Sequence, residues 1–99
     1  MGVILDGMSI HNREELHELL AQALGFPAWY GGNMDALFDC LTELREDTEI
    51  VLCHTEALEE NLGPYAACLR RVLRDAAEEN PHIHLDIRME EEARAQYFS

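Results

Sequence analysis

Apolar and polar residues recur along the chain with two different periods, and the switches between them mark seven elements. Gly2 to Asp6 is a short apolar run closed by Asp6-Gly7, a strand entering a turn. Leu16, Leu19, Leu20, Ala23 and Leu24 then repeat at helical spacing. Asn12 caps that helix with Glu15 as its capping-box partner, and Gly25 and Pro27 stop it. An aromatic loop punctuated by glycines follows, Phe26 to Gly32. Asn33 is the next cap, and Met34, Leu37, Phe38 and Leu41 are the inner stripe of a second helix.

Ile50 to Cys53 is continuously apolar, which predicts a strand covered on both faces. Thr55 to Leu62 suits a short helix closed by Gly63. Pro64 opens a longer one, with Ala67, Cys68, Val72, Leu73 and Ala76 as inner positions and Asn80-Pro81 as its end. His82 to Met89 alternates, with Ile83, Leu85, Ile87 and Met89 on one side, the pattern of a half-exposed edge strand. Strands separated by helices pair in parallel through right-handed crossovers. The order β-α-α-β-α-α-β therefore predicts an α/β fold, a small three-stranded parallel sheet with helices packed on it. Residues 1–89 are expected to form one domain and 90–99 a C-terminal extension.

Ninety-nine residues and 11.3 kDa leave room for one domain. Charge narrows the function further. Twenty Asp and Glu face seven basic residues, all arginine, for a formal net charge of -13. Such a field repels phosphate backbones and anionic lipid, so nucleic acid and membrane are excluded as partners and a basic protein is favoured. No apolar run approaches a signal-peptide or membrane-spanning length. Three cysteines (Cys40, Cys53, Cys68) with no Cys-x-x-Cys pair read as reduced thiols, and a cytoplasmic location is expected.

Between Glu14 and Leu44 stand six acids (Glu14, Glu15, Glu18, Asp35, Asp39, Glu43) and no cation. Asp35 and Asp39 are one helical turn apart on the face opposite Phe38 and Leu41. Like charges at that spacing cost an exposed helix roughly 0.2–0.5 kcal/mol. Asp35, in the first turn, is favoured by the helix dipole; Asp39, in mid-helix, is not. The face is either a solvated acidic surface or a binding surface. Trp29 and Tyr30 beside it favour binding, since large aromatics flanked by charges are what a protein interface needs. One of the two rings alternatively closes over the core.

Competing chemistry is weaker. Gly31-Gly32-Asn33 could cradle a phosphate, but Asp35 would repel it. His82 and His84 share a side of one strand and Cys53-His54 lies on another, with spacings that match no zinc pattern. Cys40 sits among carboxylates that disfavour its thiolate. Arg70, Arg71 and Arg74 suit salt bridges with Glu78 and neighbouring acids. No catalytic residue, metal site or cofactor is expected.

The string from Pro27 to Thr42, PAWYGGNMDALFDCLT, closely resembles the signature of the barstar family, intracellular inhibitors of barnase-type ribonucleases. Leu5-Asp6-Gly7 and Glu15-Leu16-His17 fall in the same register. The resemblance is strong over residues 3–42, weaker from Ile50 to Ile87, and ends before residue 90. It implies a non-enzymatic, monomeric, cytoplasmic protein that plugs a basic, secreted, guanyl-specific ribonuclease one to one. Asp39 would take the place of a substrate phosphate, and Asp35 would reach the neighbouring base-recognition loops. Transferred by position, the contacts are Trp29, Tyr30, Gly31, Asn33, Met34, Asp35, Phe38, Asp39, Thr42, Leu44 and, on the last helix, Asp75. Three departures bear on which nuclease is bound. Trp29 replaces a more usual Tyr, Leu44 lacks an aromatic ring, and Asp75 is one methylene shorter than the family's glutamate. The rival readings are an acidic adaptor or nucleic-acid-mimicking decoy for another basic protein, and a small hydrolase using Cys40 or the aspartates.

Overall fold

The computed structural model describes residues 1–88; Met89 and the 90–99 extension lie outside the described residues. The elements are β1 (Gly2–Asp6), α1 (Arg13–Leu24), α2 (Met34–Thr42), β2 (Thr48–Cys53), α3 (Thr55–Leu62), α4 (Pro64–Glu79) and β3 (Ile83–Ile87). β2 is central, paired in parallel with both β1 and β3. This is the α/β arrangement predicted from the order of elements.

Register decides which residues face the helices. Val3 pairs with Ile50 and Ile50 with Leu85; Leu5 pairs with Leu52 and Leu52 with Ile87. These rows share one face, and Leu5, Ile50 and Leu52 are completely buried under Leu16, Leu20, Leu37, Leu41, Leu69 and Leu73 of the helices. Each such side chain contributes on the order of 1.5–3 kcal/mol through its burial.

The opposite face overturns the expectation that β2 is covered on both sides. Ile4 is 65% exposed, Glu49 is exposed, and Val51 and Cys53 are only half-buried. The continuous apolar run misled because Val51 and Cys53 are apolar without being core. Alternation in this sheet lies in burial more than in polarity.

α4 corrects a phase error. Its buried stripe is Ala66, Leu69, Leu73 and Ala76, while Ala67 and Cys68 are exposed. The two small residues gave no signal strong enough to set the helical phase; Leu69 and Leu73, four apart, do. Of the ion pairs expected between Arg70, Arg71 and Arg74 and Glu78 or neighbouring acids, the described residues show one, Arg70 with Glu59 of α3 at 2.8 Å, which ties α3 to α4, and none with Glu78. At the start of α1, Asn12 Oδ1 accepts from Glu15 N at 2.9 Å as expected, but the Glu15 carboxylate accepts from His11 N (3.1 Å) instead of the cap's own N–H. β3 is shorter than the predicted strand, with His82 before it and Arg88 after it.

Candidate functional site

Two capped helix ends hold the Phe26–Asn33 loop in place. Gly25 closes α1 in the left-handed region (φ 64°, ψ 39°), and Phe26 N donates back to Ala21 O at 3.0 Å. Tyr30 N donates to Pro27 O (3.0 Å), making a turn that carries Trp29 at its outer edge. Gly32 has φ +66°, a conformation that side chains rarely adopt, just before the next helix. Asn33 then caps α2, its Oδ1 accepting from Ala36 N at 2.8 Å.

The loop aromatics divide their roles. Trp29 is 68% exposed. Tyr30 is half-buried, its ring centroid 4.9 Å from that of Phe26, and its hydroxyl is hydrogen-bonded to His17 Nδ1. His17 Nε2 is in turn 2.7 Å from the Tyr65 hydroxyl, and the Arg13 guanidinium lies 4.2 Å over the Tyr65 ring. A ladder from α4 through α1 thus holds Tyr30 from beneath. Burial pushes the Tyr30 phenol well above its usual range, so it remains a neutral hydroxyl, and burial pushes the His17 imidazole down, so it too is neutral at pH 7.

On α2, Leu37 and Leu41 are buried and Cys40 nearly so, while Met34 and Phe38 pack partly against the core. Burial raises the Cys40 thiol, with Glu43 and Asp39 adding to the effect, which disfavours the thiolate a nucleophile needs. Asp35 and Asp39 are both exposed. Among the described residues neither carboxylate enters a hydrogen bond or ion pair, so both point to solvent uncompensated. Thr42 Oγ1 donates to Asp39 O (3.1 Å), and Leu44 follows, half-buried, at the end of the helix. A groove of about 770 Å³ between α1 and the loop, edged by Glu14, Glu15 and Glu18, extends the acidic surface.

Ten of the eleven sequence-derived contact residues therefore sit on this loop and α2 or just after it. Asp75 is the exception. It is exposed on α4, beside Arg70, Arg71 and Arg74, and no bond joins it to α2.

A profile of the family "Barstar (barnase inhibitor)" matches residues 1–94. The chain belongs to the barstar family. It is 41% identical over 78 residues, 78% of its own length and 86% of the relative's, to a Bacillus subtilis (strain 168) protein named "Putative ribonuclease inhibitor YrdF". No helix among the described residues is long and apolar enough to cross a membrane.

Sequence reasoning missed three residues that support this barstar-family loop and helix: His17, Tyr65 and Asn80. For His17 a signal existed, because it is three residues before Leu20 and seven before Leu24, on the edge of the α1 core stripe. Its burial has a measurable consequence. A histidine whose folded pKa is depressed leaves stability intact above its unfolded value, about 6.5, and stability is lost as pH falls from there toward the folded value. The denaturant midpoint is therefore expected to fall as pH drops below about 6.5, and His17→Gln to flatten that slope. Asp6, Glu15 and Asp47, whose carboxyls are held low by hydrogen bonds, contribute only at more acidic pH. A slope unchanged in His17→Gln would assign the loss to another group.

Proposed function

We propose that this chain is a non-enzymatic inhibitor of a basic, secreted, guanyl-preferring ribonuclease, bound one to one while the enzyme is still in the producing cell's cytoplasm. The observation that carries the reading is the pair of carboxylates, Asp35 and Asp39, unpartnered among the described residues and held on a capped helix beside an exposed tryptophan. A ribonuclease site is preorganised with cationic donors for a phosphate that gains charge in the transition state. A carboxylate on a rigid helix can occupy that position without a scissile bond, and arginine–carboxylate bonds then supply strength and orientation. Asp39 is assigned the phosphate position. Asp35 faces the base-recognition side, and Trp29, Tyr30, Gly31, Asn33, Met34, Phe38, Thr42 and Leu44 complete the contact surface, with Asp75 on its α4 flank.

Titration into a barnase-type guanyl ribonuclease assay tests this: activity is abolished at one equivalent. Inertness toward several such enzymes would instead favour an adaptor or decoy for another basic protein. Turnover of an ester or phosphoester that disappears in Cys40→Ala would make the chain a hydrolase. The net charge of -13 adds a kinetic signature. Raising salt from about 0.01 to 0.5 M should slow association roughly tenfold or more and change dissociation little, as stopped-flow fluorescence of Trp29 can report. A salt-independent on-rate removes the steering argument.

A further inference from the structure

Away from the loop and α2, the register of the sheet assembles a second chemistry. Asp6 ends β1 and pairs with Cys53, the last residue of β2, so the two side chains share the open face at the carboxyl ends of parallel strands. His54 follows Cys53 and turns back across the strands, with Nδ1 2.8 Å from Asp6 Oδ1. One ligating atom each of Asp6, Cys53 and His54 lies within 4.8 Å of the other two.

His54 is a poor helix cap at its position, although histidine is among the types that tolerate the left-handed region. It occupies the cap position of α3 at φ 53°, ψ 51°, and among the described residues it alone is a non-glycine with positive φ. Asparagine or glycine would sit there at lower cost, and Ser, Thr, Asp or Asn would cap the helix; the His54 side chain makes no cap bond. Its ring is instead spent on Asp6. Gly7 makes the close approach possible, since a Cβ there would fall 2.1 Å from His54 O and 2.7 Å from Leu58 N. The Asp6 carboxylate is also fixed, accepting from Met8 N at 2.9 Å through the same Oδ1 and leaving Oδ2 for another ligand. Arg88, the cation near Cys53, is engaged by Asp86 at 3.0 Å.

We propose that Cys53 Sγ, a ring nitrogen of His54 and the Asp6 carboxylate bind a borderline divalent transition-metal ion, zinc being the best match, with water in the fourth position. Thiolate, imidazole and carboxylate are zinc's ordinary ligands. Ligand-to-ligand edges on tetrahedral zinc are roughly 3.3–3.6 Å, reached from the present separations by small side-chain rotations. The half-exposed setting leaves room for the water and for exchange. Cys53-His54 alone matches no zinc spacing in the sequence because the third donor comes from another strand, 47 residues earlier than Cys53. Binding replaces the thiol proton with the metal, and that proton is released to buffer.

The test uses the full chain, reduced, with cobalt(II) as a spectroscopic probe and zinc as competitor. One equivalent of cobalt should give a near-ultraviolet thiolate-to-metal charge-transfer band that zinc displaces. Cys53→Ser should abolish the band, while Asp6→Asn and His54→Asn, chosen to keep the Met8 turn and the left-handed backbone, weaken affinity at least ~10-fold. Cys40→Ser, Cys68→Ser and a His82→Asn/His84→Asn double variant should retain it. Zinc should raise the thermal midpoint of the wild type but not of Cys53→Ser. No band, a band that survives Cys53→Ser, or one lost in Cys68→Ser would overturn the proposal. Ribonuclease inhibition is scored separately, since none of the three ligands belongs to the loop or α2.

Discussion

Asp39→Ala is expected to weaken the ribonuclease complex by about 3–5 kcal/mol while leaving the free protein as stable as before or slightly more so. The two halves of that expectation have different origins. In the proposed complex, Asp39 would be desolvated against cationic groups of the nuclease, and removing one partner would strand the others without their counter-charge, a cost of about 3–5 kcal/mol in buried pairs. In the free protein, Asp39 is exposed and its carboxylate bonds nothing among the described residues, so the substitution removes no native interaction. It removes like charges one turn away on either side, Asp35 and Glu43, and replaces a mediocre helix former by the best one, together worth about 0.5–1 kcal/mol in favour of folding. Calorimetric binding and chemical denaturation, run on the same variant, separate the two quantities.

The control is Glu60→Ala, on the exposed side of α3. It changes net charge by the same amount and should alter the on-rate slightly and the off-rate not at all. Equal losses of stability and binding in Asp39→Ala would make Asp39 structural. Undiminished binding would take α2 out of the interface and with it the phosphate mimicry.

What could be read from the sequence follows from the range of the interactions concerned. All seven elements were legible because each is written in local periodicity and punctuation: Asn12 and Asn33 as caps, Gly25 and Gly63 as stops, Pro64 at a helix start. The loop and α2 stand out as a candidate site because carboxylates uncompensated among the described residues and an exposed tryptophan conflict with the local optimum for a helix and its entry loop. The failures are tertiary. Small residues set the phase of α4 badly, since Ala67 and Cys68 fit either face, and the open face of the sheet is invisible in an apolar run. His17, Tyr30 and Tyr65 come from three elements, and Asp6 meets His54 across 48 residues. No spacing rule reaches that far.

Asn80 shows the same limit and yields the second large expectation. In the sequence it marks only the end of α4; in the structure it is 4% exposed and joins α4 to the end of α2. Its side-chain amide donates to Leu41 O at 2.8 Å and Leu44 O at 2.9 Å, and its Oδ1 accepts from His82 N at 3.0 Å. Leu41 lies in the last turn of α2, where its carbonyl also takes a 3.3 Å bond from Leu44 N, and Asn80 adds a side-chain donor that ties this end to α4. Asn80→Ala deletes three hydrogen bonds, one buried and two part-buried, and takes a donor from the Leu41 and Leu44 carbonyls, for an expected loss of about 3 kcal/mol and a fall in melting temperature of roughly 12 °C or more. Hydrogen exchange at Glu43 and Leu44 should accelerate ahead of the central sheet amides, because the end of α2 loses two tethers while the sheet loses only the His82 bond at the start of β3. Asn80→Asp sharpens the assignment through its sign with pH. An ionised carboxylate has no proton to offer the two carbonyls, so the folded-state pKa of Asp at this position is raised above its unfolded value of about 3.9. Stability of that variant should then be greatest below about pH 4 and decline as pH rises through the raised folded value, opposite to the slope set by His17. If Asn80→Asp matched Asn80→Ala at every pH, the amide protons would not be what holds α2 to α4.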